Sequence, residues 1–177
     1  MKKIIPFTIV LVLAMAACKP NAKNEAKYWA NNKTELAEAV AKYPKFKTLL
    51  DNKLKEAEVI WAAAEKISKA EEKAAKMKEA NAKLNELLNQ FTQIKYKSKG
   101  IESSIAKLQR MKISKLRVAT RDRAIRDARN ALFQADTKMK TAVFTDEVSA
   151  KVVTKDVISG LISAKGALDR SIKSLKK

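Results

Sequence analysis

From about residue 25 onward, apolar positions recur with the period of an α-helix. Ten positions from Ile60 to Phe91 follow one another at spacings of three and four residues, and nine of them are apolar. The tenth is Asn81. This spacing is typical of a coiled-coil seam, in which a single polar residue fixes the register of the packed helices.

Helix-terminating residues divide this pattern into four predicted helices. Pro44 favours the first turn of a helix, Gly100 favours the end of one, and Thr145 suits the N-cap of the last. We predict helices at about residues 25–42, 45–98, 102–141 and 146–176. The stripe of the last helix consists of Ala150, Val153, Val157, Leu161, Ala164, Leu168, Ile172 and Leu175.

The connections between these helices are short, and short connections place neighbouring helices antiparallel. We therefore expect an all-α protein, namely an elongated antiparallel bundle of three to four helices with a long coiled-coil-like hairpin. The run between Pro44 and Gly100 is longer than a single globular core needs, which favours an elongated shape. A fully extended coiled-coil oligomer is the alternative.

Composition supports helices and argues against several kinds of active site. The chain has three glycines and three prolines, too few for the turns of a sheet protein. It has no histidine, and its one cysteine is Cys18. We therefore expect no metal site, no thiol nucleophile in the folded part, no cofactor and no enzymatic activity.

The first 18 residues have the parts of an export signal. Lys2 and Lys3 precede an apolar run from Ile4 to Met15, and Ala16-Ala17-Cys18 follows. The run is shorter than the roughly 20 residues that a transmembrane helix needs. A plain secretory signal followed by a chance cysteine is one interpretation of this segment.

The ending Met15-Ala16-Ala17-Cys18 resembles the lipobox of bacterial lipoproteins. The resemblance implies that residues 1–17 are a signal peptide that is removed, and that Cys18 carries diacylglycerol and a fatty acyl group such as palmitate. Residues 18–24 would then be a lipidated tether, and 25–177 a single helical-bundle domain in the cell envelope. Because Lys19 replaces the Asp that resembles an inner-membrane retention signal, an outer-membrane location is implied if the source is Gram-negative.

Positive charge is concentrated in the second half of the chain. The formal net charge is +19, and removal of residues 1–17 leaves +17. Residues 18–91 hold 15 lysines against 11 acids, whereas residues 92–177 hold 21 basic residues against 8 acids. A basic half suggests an anionic partner, although it can also serve solubility alone.

The densest basic stretch runs from Lys95 to Arg129 and has a net charge of +9. Guanidinium groups suit phosphate and carboxylate, so anionic lipid, lipopolysaccharide and anionic polysaccharide are the candidate ligands. The alternative is a solvated face with local pairs Asp122–Arg126 and Arg123–Asp127. An export signal argues against nucleic acid as the partner. The candidate binding residues are Lys95, Lys97, Lys99, Lys107, Arg110, Lys112, Lys115, Arg117, Arg121, Arg123 and Arg126.

Four aromatic residues surround the predicted junction at Pro44, namely Trp29, Tyr43, Phe46 and Trp61. Such a group can line a ligand cleft, but rings more often fill the end of a bundle core. We expect the core role.

Taken together, these features favour a lipid-anchored cell-envelope protein with a non-enzymatic structural or adaptor role. It would contact the membrane through its lipid anchor and bind an anionic envelope component through the basic helix. A protein partner or a homo-oligomer is compatible with the coiled-coil pattern. The alternative function is a surface-exposed adhesin or ligand-capture lipoprotein.

Overall fold

The structure is a computed structural model that describes residues 21–176. Over this range the chain forms five α-helices and no β-strand, which confirms the all-α prediction. None of the helices in this range is long and apolar enough to cross a membrane. The predicted signal peptide, Cys18 and the first part of the tether lie outside the described residues. The helices are α1 (Ala22–Lys42), α2 (Lys47–Glu65), α3 (Ala70–Arg110), α4 (Val118–Thr141) and α5 (Glu147–Lys176).

The predicted helix 45–98 is wrong at both ends and in its middle. A 3-10 turn over Pro44–Phe46 precedes α2, and α2 ends at Glu65. The amides of Lys66 and Ile67 then bond carbonyls three residues back, which tightens the last turn and stops the helix. The signal for a new start was present at Glu71 and Glu72, because paired acids in a first turn favour the positive end of the helix dipole.

Gly100 does not end a helix, contrary to the sequence prediction, but lies inside α3. A glycine in a helix interior costs about 1 kcal/mol relative to alanine. Ile101 and Leu108 beyond it are both 0% exposed. Burying two such side chains contributes roughly 3–6 kcal/mol, so continuing the helix outweighs the glycine.

The last two helices match the pattern to different degrees. The predicted helix 102–141 is divided, because its first part belongs to α3 and α4 begins only at Val118. The predicted helix 146–176 agrees with α5, and six of its eight predicted stripe residues are buried. Its N-cap contacts come from Asp146, one residue after the predicted Thr145: Asp146 Oδ1 accepts the Ser149 amide at 2.8 Å, and Ser149 Oγ accepts the Asp146 amide at 3.2 Å.

The chain contains two compact units, and α1, α2 and α3 contribute residues to both. The first comprises residues 21–34 and Lys53–Asn85. Its core uses small side chains such as Ala57, Ala64 and Ala80, each 0% exposed, which lets the helix backbones approach closely. Trp29 and Trp61 stack beside it with ring centroids 4.7 Å apart.

The second unit comprises Glu35–Asn52 and residues 86–176, and it contains the basic stretch. Its α4 packs along α5, and an ion pair between Lys138 and Asp156 joins the two helices. The fully buried side chains include Phe46, Leu50, Leu87, Ile101, Leu108, Met139 and Leu161.

Candidate anion-binding site

The candidate basic residues lie on three consecutive elements of the second unit. We call residues 111–117, between α3 and α4, the basic connection. Lys95, Lys97, Lys99, Lys107 and Arg110 lie on α3, Lys112, Lys115 and Arg117 on the basic connection, and Arg121, Arg123 and Arg126 on α4.

Lys95 belongs to a contact between α3 and α1. Its Nζ donates to Glu38 Oε2 at 2.5 Å. That hydrogen bond, followed by the positive charge of Lys95, lowers the pKa of Glu38, and the same hydrogen bond raises the pKa of Lys95. Because its charge is largely balanced by Glu38, Lys95 has less to offer an external anion than the other candidates.

Of the two ion pairs predicted on α4, one is confirmed and the other is wrong. Arg123 Nε lies 3.9 Å from Asp127 Oδ2, as the i,i+4 spacing predicts. Asp122, however, accepts from Arg121 Nε at 2.9 Å and does not pair with Arg126. Arg121 therefore makes a local pair, and within the described part of the chain it makes no ion pair across helices. Within residues 21–176, Arg126 is left without a carboxylate partner.

A cleft of about 490 Å³ opens between the end of α3 and the first turns of α4. Ile125 is 7% exposed and forms its apolar part. Arg129 is exposed and has no ion pair in the described part of the chain. Three guanidinium groups and one carboxylate thus border the same space. The lining residues are Gln109, Arg121, Asp122, Ile125, Arg126, Arg129 and Asn130.

Five lining residues of this cleft were not among the sequence candidates, and three of them, Gln109, Arg129 and Asn130, carry side-chain hydrogen-bond donors. Arg129 belonged to the basic stretch, and its spacing of three from Arg126 places both on one helix face, which was a usable signal. Gln109 and Asn130 are uncharged and lie 21 positions apart in sequence. Only the return of α4 along α3 brings these two amides together.

The basic connection adds an apolar residue that the heptad pattern does not explain. Leu116 is 94% exposed and lies between the exposed side chains of Lys115 and Arg117. Arg110, Lys112, Lys115 and Arg117 have no ion-pair partner among the described residues. The connection thus presents an exposed leucine among three cations and no acid, and Arg110 at the end of α3 adds a fourth cation next to it.

A second, smaller cleft of about 220 Å³ lies between α1 and α3. Tyr43 and Phe91 form its apolar part, with ring centroids 6.0 Å apart. Its rim carries both signs, because Glu35, Glu38, Lys42 and Lys95 line it. Balanced charges give this cleft no preference for anions.

The predicted group of four aromatic residues is wrong as a single cluster, because its members belong to different units. Trp29 and Trp61 stack in the first unit. In the second unit Phe46 meets Phe91 edge to face at 5.0 Å and Phe144 at 4.5 Å. Phe46 and Tyr43 are 0% and 4% exposed, which agrees with the expected core role.

Among residues 21–176 no group of three or more Cys, His, Asp or Glu side chains is arranged to hold a metal ion. Comparison with protein-family models, curated proteins and solved structures found no match to this chain.

Proposed function

We propose that this chain is a lipid-anchored, non-enzymatic protein of the cell envelope that holds an anionic membrane surface with the region from Lys107 to Arg129. The observation that carries the proposal is the excess of unpaired cations in that region. It contains nine basic residues and two acids, and each acid is paired with an arginine. Seven cations remain without a carboxylate partner within residues 21–176.

A bilayer surface explains one feature that a polysaccharide does not. Leu116 is almost fully exposed although it is apolar, and it lies among the cations of the basic connection. Cations bind lipid phosphates at the surface while an apolar side chain enters the boundary between headgroups and acyl chains. A polysaccharide has no comparable apolar layer, so anionic lipid is favoured among the candidate components.

The anchor in this proposal is Cys18, with residues 1–17 as the signal peptide and an outer-membrane location if the source is Gram-negative. It is supported by the lipobox-like sequence at residues 15–18. Mass spectrometry of the mature chain should find a diacylglyceryl group on Cys18 and no residue before it. In Cys18→Ser, acylation should be lost and the chain should leave the membrane fraction. An unmodified cysteine in the mature wild-type chain would contradict the anchor.

The proposal includes an elongated antiparallel bundle as the shape of the domain. The short connections between the helices and the heptad spacing support it. Small-angle neutron scattering of the detergent-solubilised chain, with the detergent contrast-matched, should give a radius of gyration well above the roughly 16 Å of a compact domain of this length. A value near 16 Å would contradict the elongated shape.

The membrane contact is tested on the acylated full chain. Acylation blocks Cys18, so Leu116→Cys supplies a single thiol for an environment-sensitive dye. In vesicles with about 30% anionic lipid the dye should shift to shorter wavelength, because residue 116 enters the interface. Neutral vesicles or high salt should abolish the shift. Each cation near an anionic surface contributes only about 1 kcal/mol of binding free energy, and salt screens this electrostatic attraction.

Two controls make this result specific to the basic connection. A dye at Val143→Cys, a position that is 87% exposed in the native chain, should not respond to anionic lipid. Replacing Arg110, Lys112, Lys115 and Arg117 by Gln should abolish the response at position 116. Replacing the exposed lysines Lys55, Lys66, Lys78 and Lys155 removes the same charge and should preserve it. Equal responses in neutral and anionic vesicles, or none in either, would overturn the proposed function.

A further inference from the structure

The cleft between α3 and α4 differs from the rest of the basic surface because its polar groups border one open cleft with a buried apolar residue, Ile125, in its lining. It has two unpaired arginines, a third arginine held by Asp122, and two side-chain amides. We infer that this cleft binds a single doubly charged phosphate group, as carried by a phosphate monoester. The inference deepens the proposed function and rests on it, because it names the chemical group by which the anionic component is recognised.

The net charge of the cleft matches such a group. Arg121, Arg126 and Arg129 supply three positive charges, and Asp122 supplies one negative charge. The Asp122 carboxylate is engaged with Arg121 Nε at 2.9 Å, so its charge is partly neutralised. The remaining charge of +2 balances the charge of −2 that a phosphate monoester carries above its second pKa of about 6.

The donors of the cleft also suit phosphate better than carboxylate. Arg126 and Arg129 each offer a planar fork of N–H groups, and Gln109 and Asn130 each add an amide NH2. A carboxylate has two oxygens and is satisfied by one or two forks. A phosphate monoester has three charged oxygens that accept bidentate pairs from several directions. The number of donors therefore exceeds what a single carboxylate can use.

The scaffold of the cleft holds the two unpaired arginines near one another. They lie three residues apart on α4, so their side chains leave the same face of the helix. Ile125, next to Arg126, is 7% exposed, and Ala128, between the two arginines, is 4% exposed. Their burial fixes α4 against the rest of the unit. A volume of about 490 Å³ is within the range of small-molecule sites and holds a phosphate together with part of its ester.

The test titrates the detergent-solubilised full chain by isothermal calorimetry at constant ionic strength and pH 8. Three probes are compared: inorganic phosphate, short-chain phosphatidic acid and short-chain phosphatidylglycerol. Inorganic phosphate and phosphatidic acid carry a dianionic phosphate and should bind saturably. Phosphatidylglycerol is a phosphodiester with one charge and fewer free oxygens, so it should bind about tenfold more weakly or not at all. Tighter binding of phosphatidic acid than of inorganic phosphate identifies a lipid headgroup as the source, and equal affinity identifies a free phosphate group.

The matched variants separate recognition by the cleft from general attraction. Arg126→Lys with Arg129→Lys keeps the charge but removes both forks, and it should weaken the binding of inorganic phosphate by about tenfold or more. Arg170→Lys makes the same chemical change outside the cleft and outside the region from Lys107 to Arg129, and it should leave the affinity unchanged. Circular dichroism checks that both variants are folded.

A measurement on the unmodified chain keeps the inference testable even if a variant does not fold. The affinity for inorganic phosphate should fall as the pH decreases below about 7, because protonation removes one of its two charges. Absence of saturable binding, equal affinity for monoester and diester, or unchanged affinity in the Arg126 and Arg129 variant would overturn the inference. The dye response at position 116 should persist in that variant, so failure of the cleft and failure of the proposed membrane contact are distinguishable.

Discussion

Asn81 on α3 donates hydrogen bonds to Glu25 on α1 inside the first compact unit. Its Nδ2 lies 2.8 Å from Glu25 Oε2 and 3.0 Å from the Glu25 carbonyl oxygen, and its Oδ1 accepts from Asn32 Nδ2 at 3.1 Å. Asn81 and Glu25 are 5% and 8% exposed. The one polar position in the seam from Ile60 to Phe91 therefore joins two helices at a single register.

Replacing Asn81 by Ala should destabilise the protein by roughly 2–3 kcal/mol, because it leaves buried oxygen atoms of Glu25 without their donor. Chemical denaturation followed by circular dichroism measures the change. Asn89→Ala on the same helix is the control, because Asn89 is exposed and alanine is the better helix former. Equal effects of the two substitutions would show that Asn81 does not act through these hydrogen bonds.

Phe46 and Phe133 are chemically identical and differ in burial. Phe46 is 0% exposed and contacts two aromatic rings, whereas Phe133 is 72% exposed. We expect Phe46→Ala to cost about 3–5 kcal/mol through lost burial and a cavity. Phe133→Ala should change the free energy of unfolding by less than about 0.5 kcal/mol. Comparable losses from both would mean that Phe133 is covered in solution.

The glycines inside helices offer a gain in stability. A Cβ added at Gly160 would meet no atom within 4 Å, and one added at Gly100 would meet Lys165 Cε at 3.7 Å, an ordinary contact distance. Gly100→Ala and Gly160→Ala should each stabilise the protein by about 0.5–1 kcal/mol, because alanine has fewer conformations in the unfolded chain. The reverse change at the exposed Ala167 should destabilise α5 by a similar amount. A loss of stability in Gly100→Ala would indicate closer packing at that position.

The start of α5 should respond to acid. The hydrogen bond from the Ser149 amide, followed by that from its hydroxyl, lowers the pKa of Asp146 below its ordinary value of 3.8. Because the pKa is lower in the folded state, the charged cap stabilises the protein above about pH 4, and this contribution is lost as the pH falls through the folded-state pKa.

Thermal unfolding between pH 2 and pH 7 tests this dependence. Asp146→Ala should lower the melting temperature by a few degrees at pH 7, in keeping with the loss of an N-cap, and by less at pH 2. Asp146→Asn keeps an acceptor oxygen but has no titrating charge. The melting temperature of this variant should therefore lack the pH dependence that Asp146 contributes. A constant difference between Asp146→Ala and the native chain over the whole range would contradict the role of the charged cap.

Much of the helical structure could be predicted from sequence because its causes are local. Scarce glycine and proline remove the usual turns, and strong helix formers fill the remainder. The stripe from Ala150 to Leu175 predicted α5, because residues three and four apart share a face whatever packs against it. A spacing of three residues likewise placed Arg126 and Arg129 on one face of α4.

Tertiary structure decided the features for which the local sequence allows more than one outcome. Gly100 has the local signature of a helix end, but burial of Ile101 and Leu108 continues α3 to Arg110. Asp122 could pair with Arg121 or Arg126, and the structure pairs it with Arg121. The cleft itself requires Gln109 of α3 beside α4, and helix periodicity cannot supply that contact, because it specifies the face of one helix and not the partner packed against it.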